Sequence, residues 1–297
     1  MADAGRLSMK LVRALVIASH PIPSLAVTAM ATLLTAEAAP AGFGAGRIAL
    51  VALAVLAGQL SVGWSNDARD AERDTATGRA DKPAAVGLIS ARALWLAAAT
   101  AVVASLALAA ALGPVSLAID AAMTAVAWSY NLGLKSTVWS GASYAIAFGL
   151  LPSFAASALP GHPLARWPVT LAAALLGLGA HFANVLPDLA ADAENGVRGL
   201  PQRLAAQFGP VATRSAALAL LLAASVLLLV AASPGRRWVA VAGLCCSGVL
   251  AVAGARGRGR VPFLAAIGIA GVNAALFVGG VEALTATAAP HLASALG

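Results

Sequence analysis

Two runs of carboxylates and amides hold the residues best suited to chemistry: Asn66-Asp67-x-x-Asp70-x-x-x-Asp74 and Asn184-x-x-x-Asp188-x-x-x-Asp192. A helix turns about 100° per residue, so a four-residue step drifts only about 40° and keeps each run on one stripe. Of the twelve acidic residues in the chain, five fall in these two stripes. Carboxylates gathered at one site repel each other unless a positive charge stands between them. Oxygen ligands of this kind suit Mg2+. Arg79, Asp81, Lys82 and Pro83 follow the first stripe, Arg198 and Arg203 follow the second, and Tyr130 and Lys135 lie between. Acids that hold Mg2+, ringed by Arg and Lys, fit a diphosphate, with the metal bridging its oxygens and the cations neutralising the remainder. Such a site stabilises a diphosphate leaving group, so a carbon–oxygen bond can ionise without a covalent enzyme intermediate.

The elements that position these stripes are membrane helices. Apolar residues make up 60% of the 297 and charged residues only 10%, and the mean hydropathy is +0.86. A spanning helix takes about 20 mainly apolar residues. The pattern predicts an all-α membrane protein of nine transmembrane helices in a bundle around a central cavity, over 11–35, 46–66, 91–112, 114–133, 138–159, 167–187, 211–232, 237–254 and 262–284. The first runs far past the length of a signal-peptide core and has no clear cleavage site, so it is expected to stay in the mature protein. The expected organisation is a single domain over 1–297, with a helical core over about 11–284 and cap loops over about 67–90 and 188–210.

Charge sets the expected orientation. With the N-terminus in the cytoplasm, fifteen of the nineteen Lys and Arg fall on the inner side, and Arg47, Arg166, Arg236 and Arg237 on the outer. The C-terminus is then outside. Asp67, Asp70, Glu72, Asp74, Asp81, Asp188, Asp192 and Glu194, eight of the twelve acids, also lie inside. The formal charge of +7 is thus a topology signal and no sign of a nucleic-acid partner. The adjacent Cys245 and Cys246 read as small apolar fillers, and no zinc spacing, phosphate-binding glycine loop or nucleophile elbow is present. The repeat of stripe plus loop after the second and sixth segments hints at an internal duplication.

Together the motifs resemble the UbiA superfamily of intramembrane prenyltransferases over nearly the whole length. The carriers are the NDxxDxxxD-type run from Asn66, the DxxxD-type pair Asp188 and Asp192, Tyr130 with Lys135, and Lys82-Pro83 through Gly87-Leu88-Ile89-Ser90. The resemblance implies Mg2+ as cofactor in two ions, one held by Asn66, Asp70 and Asp74 with Asp67 close by, the second by Asp188 and Asp192. It implies that Arg79, Lys82, Lys135 and Asn184 bind the diphosphate, and that Asp70, Asp188 and Tyr130 are catalytic. The implied partners are an isoprenyl diphosphate, a small aromatic or quinone-precursor acceptor and the lipid bilayer, in the plasma membrane with the active site on the cytoplasmic side. Relatives that prenylate 4-hydroxybenzoate carry an Arg-x-Asp-Lys-Pro-like element where this chain has Ala18-Ser19-His20-Pro21-Ile22-Pro23, which suggests another acceptor.

Four further residues and two other functions remain in view. His181 shares the face of the second stripe as a base or a partner to a metal ligand, and His20 reads as structural or as an acceptor-orienting group. Asp120 reads as an outer residue snorkelling to the surface, and Asn273 as an interhelical hydrogen-bonding group. A terpene cyclase would use the same metal–diphosphate site without an acceptor. A cation transporter would need polar residues deep in several helices, and these are sparse.

Overall fold

The computed structural model describes residues 2–189, 192, 196–280 and 284. Glu194, Glu282 and the rest of 281–283, near the end of the ninth expected segment, lie outside them. The described residues form helices joined by short loops: α1 (Ala2–Ala18), α2 (Pro21–Ala38), α3 (Ala45–Ala76), α4 (Ala91–Leu112), α5 (Pro114–Leu132), α6 (Ser140–Ser157), α7 (Trp167–Val185), α8 (Leu200–Phe208), α9 (Pro210–Ala231), α10 (Arg237–Arg256) and α11 (Val261–Gly280). Each of α2, α5, α7, α8 and α9 has proline in its opening turn, where a missing N–H leaves nothing unsatisfied. The bundle pairs α3 with α4, α6 with α7 and α7 with α9, while α10 and α11 pack together and α11 returns to α2 and α7.

Among the described residues, six helices are long and apolar enough to cross a membrane, and a seventh span counts if the bent pair 9–18 and 21–38 is one segment. Two of the nine expected spans, α5 and α6, form helices in the expected places but are not among these. Both bury polar groups against their neighbours: Ser116, Asp120 and Asn131 on α5, and Ser140, Ser143, Ser153 and Ser157 on α6. The first expected span differs more. Its two parts meet at 67°. A residue before proline is pushed out of the right-handed helical region, and His20, before Pro21, takes φ 50°. The elbow is then fastened by the Ser24 hydroxyl, which donates to the Ser19 carbonyl at 2.7 Å. The indole N–H of Trp64 on α3 donates to the Leu15 carbonyl at 2.8 Å.

Length explains where the acids end up. α3 has 32 residues and is about 48 Å long at about 1.5 Å per residue. A hydrocarbon core of about 30 Å takes about 20 residues, so the turns that carry Asp67, Asp70 and Asp74 project beyond it. At the opposite end of the bundle, Arg47 donates to the Leu112 carbonyl at 2.9 Å and to the Ala158 carbonyl at 3.0 Å. One guanidinium thereby satisfies carbonyls at the ends of α4 and α6 that no further turn would reach.

Candidate active site

The first stripe is almost entirely buried: Asp67, Asp70 and Asp74 are 2%, 8% and 3% exposed. Carboxylates at that burial need charged partners, and the sequence supplies them from three elements. Lys135, in the 3-10 turn Leu134–Ser136, donates to Asp70 Oδ2 at 2.7 Å. Arg73, one turn along α3, reaches Asp70 at 3.0 Å and Asp74 at 3.5 Å. Lys82, from the loop after α3, donates to Asp67 Oδ1 at 2.7 Å, and His20 Nε2 stands 3.0 Å from the same oxygen. Asp67 thus joins the elbow, the loop and α3. Its second oxygen, Oδ2, is buried and has no hydrogen-bond partner among the described residues.

Asn131 was not singled out in the sequence, though a polar residue in an apolar segment was the available signal. Its side-chain amide donates to the Val62 carbonyl at 2.9 Å and to Ser65 Oγ at 2.8 Å. That pins the end of α5 to α3 and so positions Tyr130 on one side and Lys135 on the other.

The second motif is more open. α7 ends at Val185, and both Asn184 and Asp188 are exposed. The Asp192 N–H donates to the Asp188 carbonyl at 2.8 Å. The side chain of Gln202, on α8, donates to Asp192 Oδ2 at 2.8 Å. Sequence reasoning missed Gln202, since nothing in its spacing ties α8 to the acids. His181 is 2% exposed and sits beside Tyr130 and Tyr144, stacked on the latter with centroids 4.7 Å apart. Its Nε2 is 3.1 Å from Ser140 Oγ, which also accepts the Leu200 N–H at 2.8 Å. The expected place of His181 beside the second stripe thus becomes a junction of α6, α7 and α8.

Two groups tie the motifs together. Arg79 donates twice to Asp81, at 2.9 and 2.8 Å. This hydrogen bonding holds the Arg79 pKa above its ordinary value, and the negative charges of Asp74 and Asp188 act in the same direction. The same bonds draw the Asp81 carboxyl down from 3.8 to about 2. The pair therefore contributes fully above about pH 3.8 and is lost only as pH falls through about 2. Tyr130 lies close enough to feel the charges of both Asp192 and Asp70. Arg79 therefore lies within electrostatic range of one acid from each motif, Asp74 and Asp188, and Tyr130 of another pair, Asp70 and Asp192.

The donor set fits Mg2+ bound together with a polyphosphate. Among the described residues, no three Asp, Glu, His or Cys side chains stand close enough to hold an ion alone. Mg2+ needs no such cage, since it keeps several waters and takes one or two carboxylates plus substrate phosphate oxygens. The unpartnered Asp67 Oδ2 is an oxygen of the right kind.

Residues 24–262 match the UbiA prenyltransferase family. The chain belongs to that family. It is an integral membrane protein of the UbiA fold, similar to solved structures at low identity. A UbiA homolog from Archaeoglobus fulgidus bound to GPP and Mg2+ aligns with TM-score 0.71 and 16% identity, over 89% of this chain and 98% of that one. A digeranylgeranylglyceryl phosphate synthase aligns with TM-score 0.70 and 14% identity, over 91% and 98%. A UbiA homolog from Aeropyrum pernix K1 aligns with TM-score 0.68 and 20% identity, over 87% and 97%. No curated protein matches the chain.

Four residues outside this site also have places. Asn273 is fully buried and links helices as expected, donating to the Leu221 carbonyl at 2.9 Å and accepting from Ser225 at 2.6 Å. Cys245 and Cys246 are exposed on α10, not packed inside the bundle as fillers. Asp120 does not snorkel to the surface. It is 3% exposed and its Oδ2 lies 2.8 Å from Ser105 Oγ, which is also 2.9 Å from the Ala54 carbonyl. A hydroxyl donates one proton, so a donor at 120 satisfies both neighbours. Asp120→Asn is therefore expected to stay within about 1 kcal/mol of the parent, while Asp120→Leu loses about 1–3 kcal/mol, as read by thermal denaturation in detergent.

Proposed function

We propose that this protein transfers a prenyl group from an isoprenyl diphosphate, with Mg2+, to a small aromatic or quinone-precursor acceptor within the membrane. The observation that carries the reading is the salt link from Lys135 to Asp70, with Arg79 and Tyr130 each within electrostatic range of acids from both motifs. Cations and acids there compensate one another. Each can exchange its partner, the cations for diphosphate oxygens and the acids for metal, without leaving a buried charge alone. GPP with Mg2+ in the Archaeoglobus fulgidus homolog is the ligand pair that such an exchange needs.

In this reading Asn66, Asp70 and Asp74, with Asp67 Oδ2, hold one Mg2+, and Asp188 and Asp192 hold a second. Bound Mg2+ supplies positive charge to the diphosphate as it leaves. Lys135, Lys82 and Arg79 donate to the diphosphate oxygens, Tyr130 presents its hydroxyl between the motifs, and Asn184 lines the open side. These donors are fixed before the reaction and need little reorganisation as negative charge grows on the leaving group. The segments 67–90 and 188–210, which were expected as loops but include the last turns of α3 and the whole of α8, would cap a single domain at the cytoplasmic face of the plasma membrane. His20, held to Asp67 at the elbow, is the group this reading assigns to orienting the acceptor hydroxyl.

The test is incubation of membranes containing the protein with farnesyl, geranylgeranyl and longer diphosphates plus Mg2+, with and without aromatic acceptors. Diphosphate release that depends on acceptor, together with a prenylated product, is the expected result. Release of a cyclic hydrocarbon or alcohol without acceptor would overturn the transferase reading in favour of a cyclase.

A further inference from the structure

The elbow at His20 turns α1 67° away from α2. If α2 runs across the bilayer, α1 lies nearer the membrane plane than its normal, at the end of the bundle where the acids are. Its surface is divided to match. Ala14 and Ala18 are buried against Ala68, Ile89 and Leu94. Met9, Val12 and Val16, at steps of three and four, form an outward apolar stripe and are 67%, 57% and 52% exposed. Lys10, Arg13 and Ile17 form the adjacent stripe and face the loop after α3 across a groove of about 300 Å³. Val86 and Leu88 of that loop line the groove too, and both are exposed. Asp81 is the acid among the lining residues, and its carboxylate is already taken by Arg79. Neither Lys10 nor Arg13 has an ion-pair partner among the described residues.

We infer that this groove binds an anionic phospholipid of the surrounding leaflet, with its phosphate on Lys10 and Arg13 and the start of an acyl chain against Ile17, Val86 and Leu88. Two uncompensated cations over apolar walls, beside an apolar stripe lying in the membrane plane, match the two ends of such a lipid. A soluble anion would use the cations and leave the apolar walls unexplained. A protein partner would have to displace lipid from the Met9–Val12–Val16 stripe.

The full-length protein, reconstituted in nanodiscs of mixed phosphatidylcholine and phosphatidylglycerol and released for native mass spectrometry, tests this. Wild type is expected to retain phosphatidylglycerol. Lys10→Gln/Arg13→Gln is expected to retain about tenfold less, with unchanged turnover in phosphatidylcholine alone as evidence of folding. Leu88→Ser, which leaves both cations in place, is expected to weaken retention of lipid as well. Arg237→Gln, at the other end of the bundle, should retain lipid as wild type does. Equal retention by the double variant, equal loss in Arg237→Gln, or displacement of the lipid by millimolar inorganic phosphate would each overturn the assignment.

Discussion

Asp70→Ala is expected to lower Mg2+-dependent diphosphate release by a factor on the order of 10²–10³, comparable to removal of one preorganised charge-stabilising group from an active site. The variant also strands Lys135, whose ion pair is with Asp70, and leaves Arg73 with Asp74 alone. Breaking a buried pair on one side costs about 3–5 kcal/mol, and the lower part of that range applies because the Lys135 side chain is 17% exposed and water reaches its ammonium. Lost turnover could therefore reflect lost fold. Asp70→Ala/Lys135→Ala separates the two causes. It removes the stranded ammonium and should recover part of the melting temperature, yet it should remain as inactive as the single variant. Turnover retained by Asp70→Ala and by Asp188→Ala would refute the assignment of both carboxylates to metal.

The second large effect is structural and sits one turn before the acids. Gly63 faces the elbow so closely that a Cβ there would lie 2.8 Å from the Ser19 carbonyl oxygen and 2.9 Å from its carbon. Both are backbone atoms, which cannot rotate aside as a side-chain end can. Gly63→Ala therefore has to push α1 and the start of α2 off α3, at about 1–3 kcal/mol, or several degrees in melting temperature. The displacement would also pull His20 from Asp67, now 3.0 Å apart. The expected result is a lower melting temperature together with a raised KM for acceptor, measured by thermal shift and by acceptor titration. Gly63→Ala with parental stability would mean that the elbow is not packed against α3 as described.

What could be read in advance follows from the range of each interaction. The first acidic stripe was legible because i, i+4 spacing is local, whereas the second leaves its helix at Val185, before Asp188. Lys135 was read as a diphosphate ligand, and its pairing with Asp70 was not foreseen. Spans rich in Leu, Val and Ala, such as α4 and α9, were legible from hydropathy alone. α5 and α6 show the limit, since hydropathy averages over Asp120, Asn131 and the buried serines and cannot tell which neighbour receives them. Asp120 was misread for that reason: its partner Ser105 lies on the preceding helix. Gln202 and His181 took their places through contacts between helices far apart in sequence, which periodicity does not encode. The elbow was half legible. Pro21 announces a helix start, but the left-handed turn of His20 and its bond to Asp67, 47 residues away, belong to the folded chain.

The unbroken length of α3 has one more consequence. A straight helix is a graduated rod, and its graduations start here at the carboxylates. Ser61 lies nine positions before Asp70 and Gly58 twelve, so at about 1.5 Å per residue they stand about 14 and 18 Å below it. A hydrocarbon lying alongside α3 meets side chains at depths fixed by counting residues from Asp70, and changing the size of one side chain on that face changes how far down the rod it can reach.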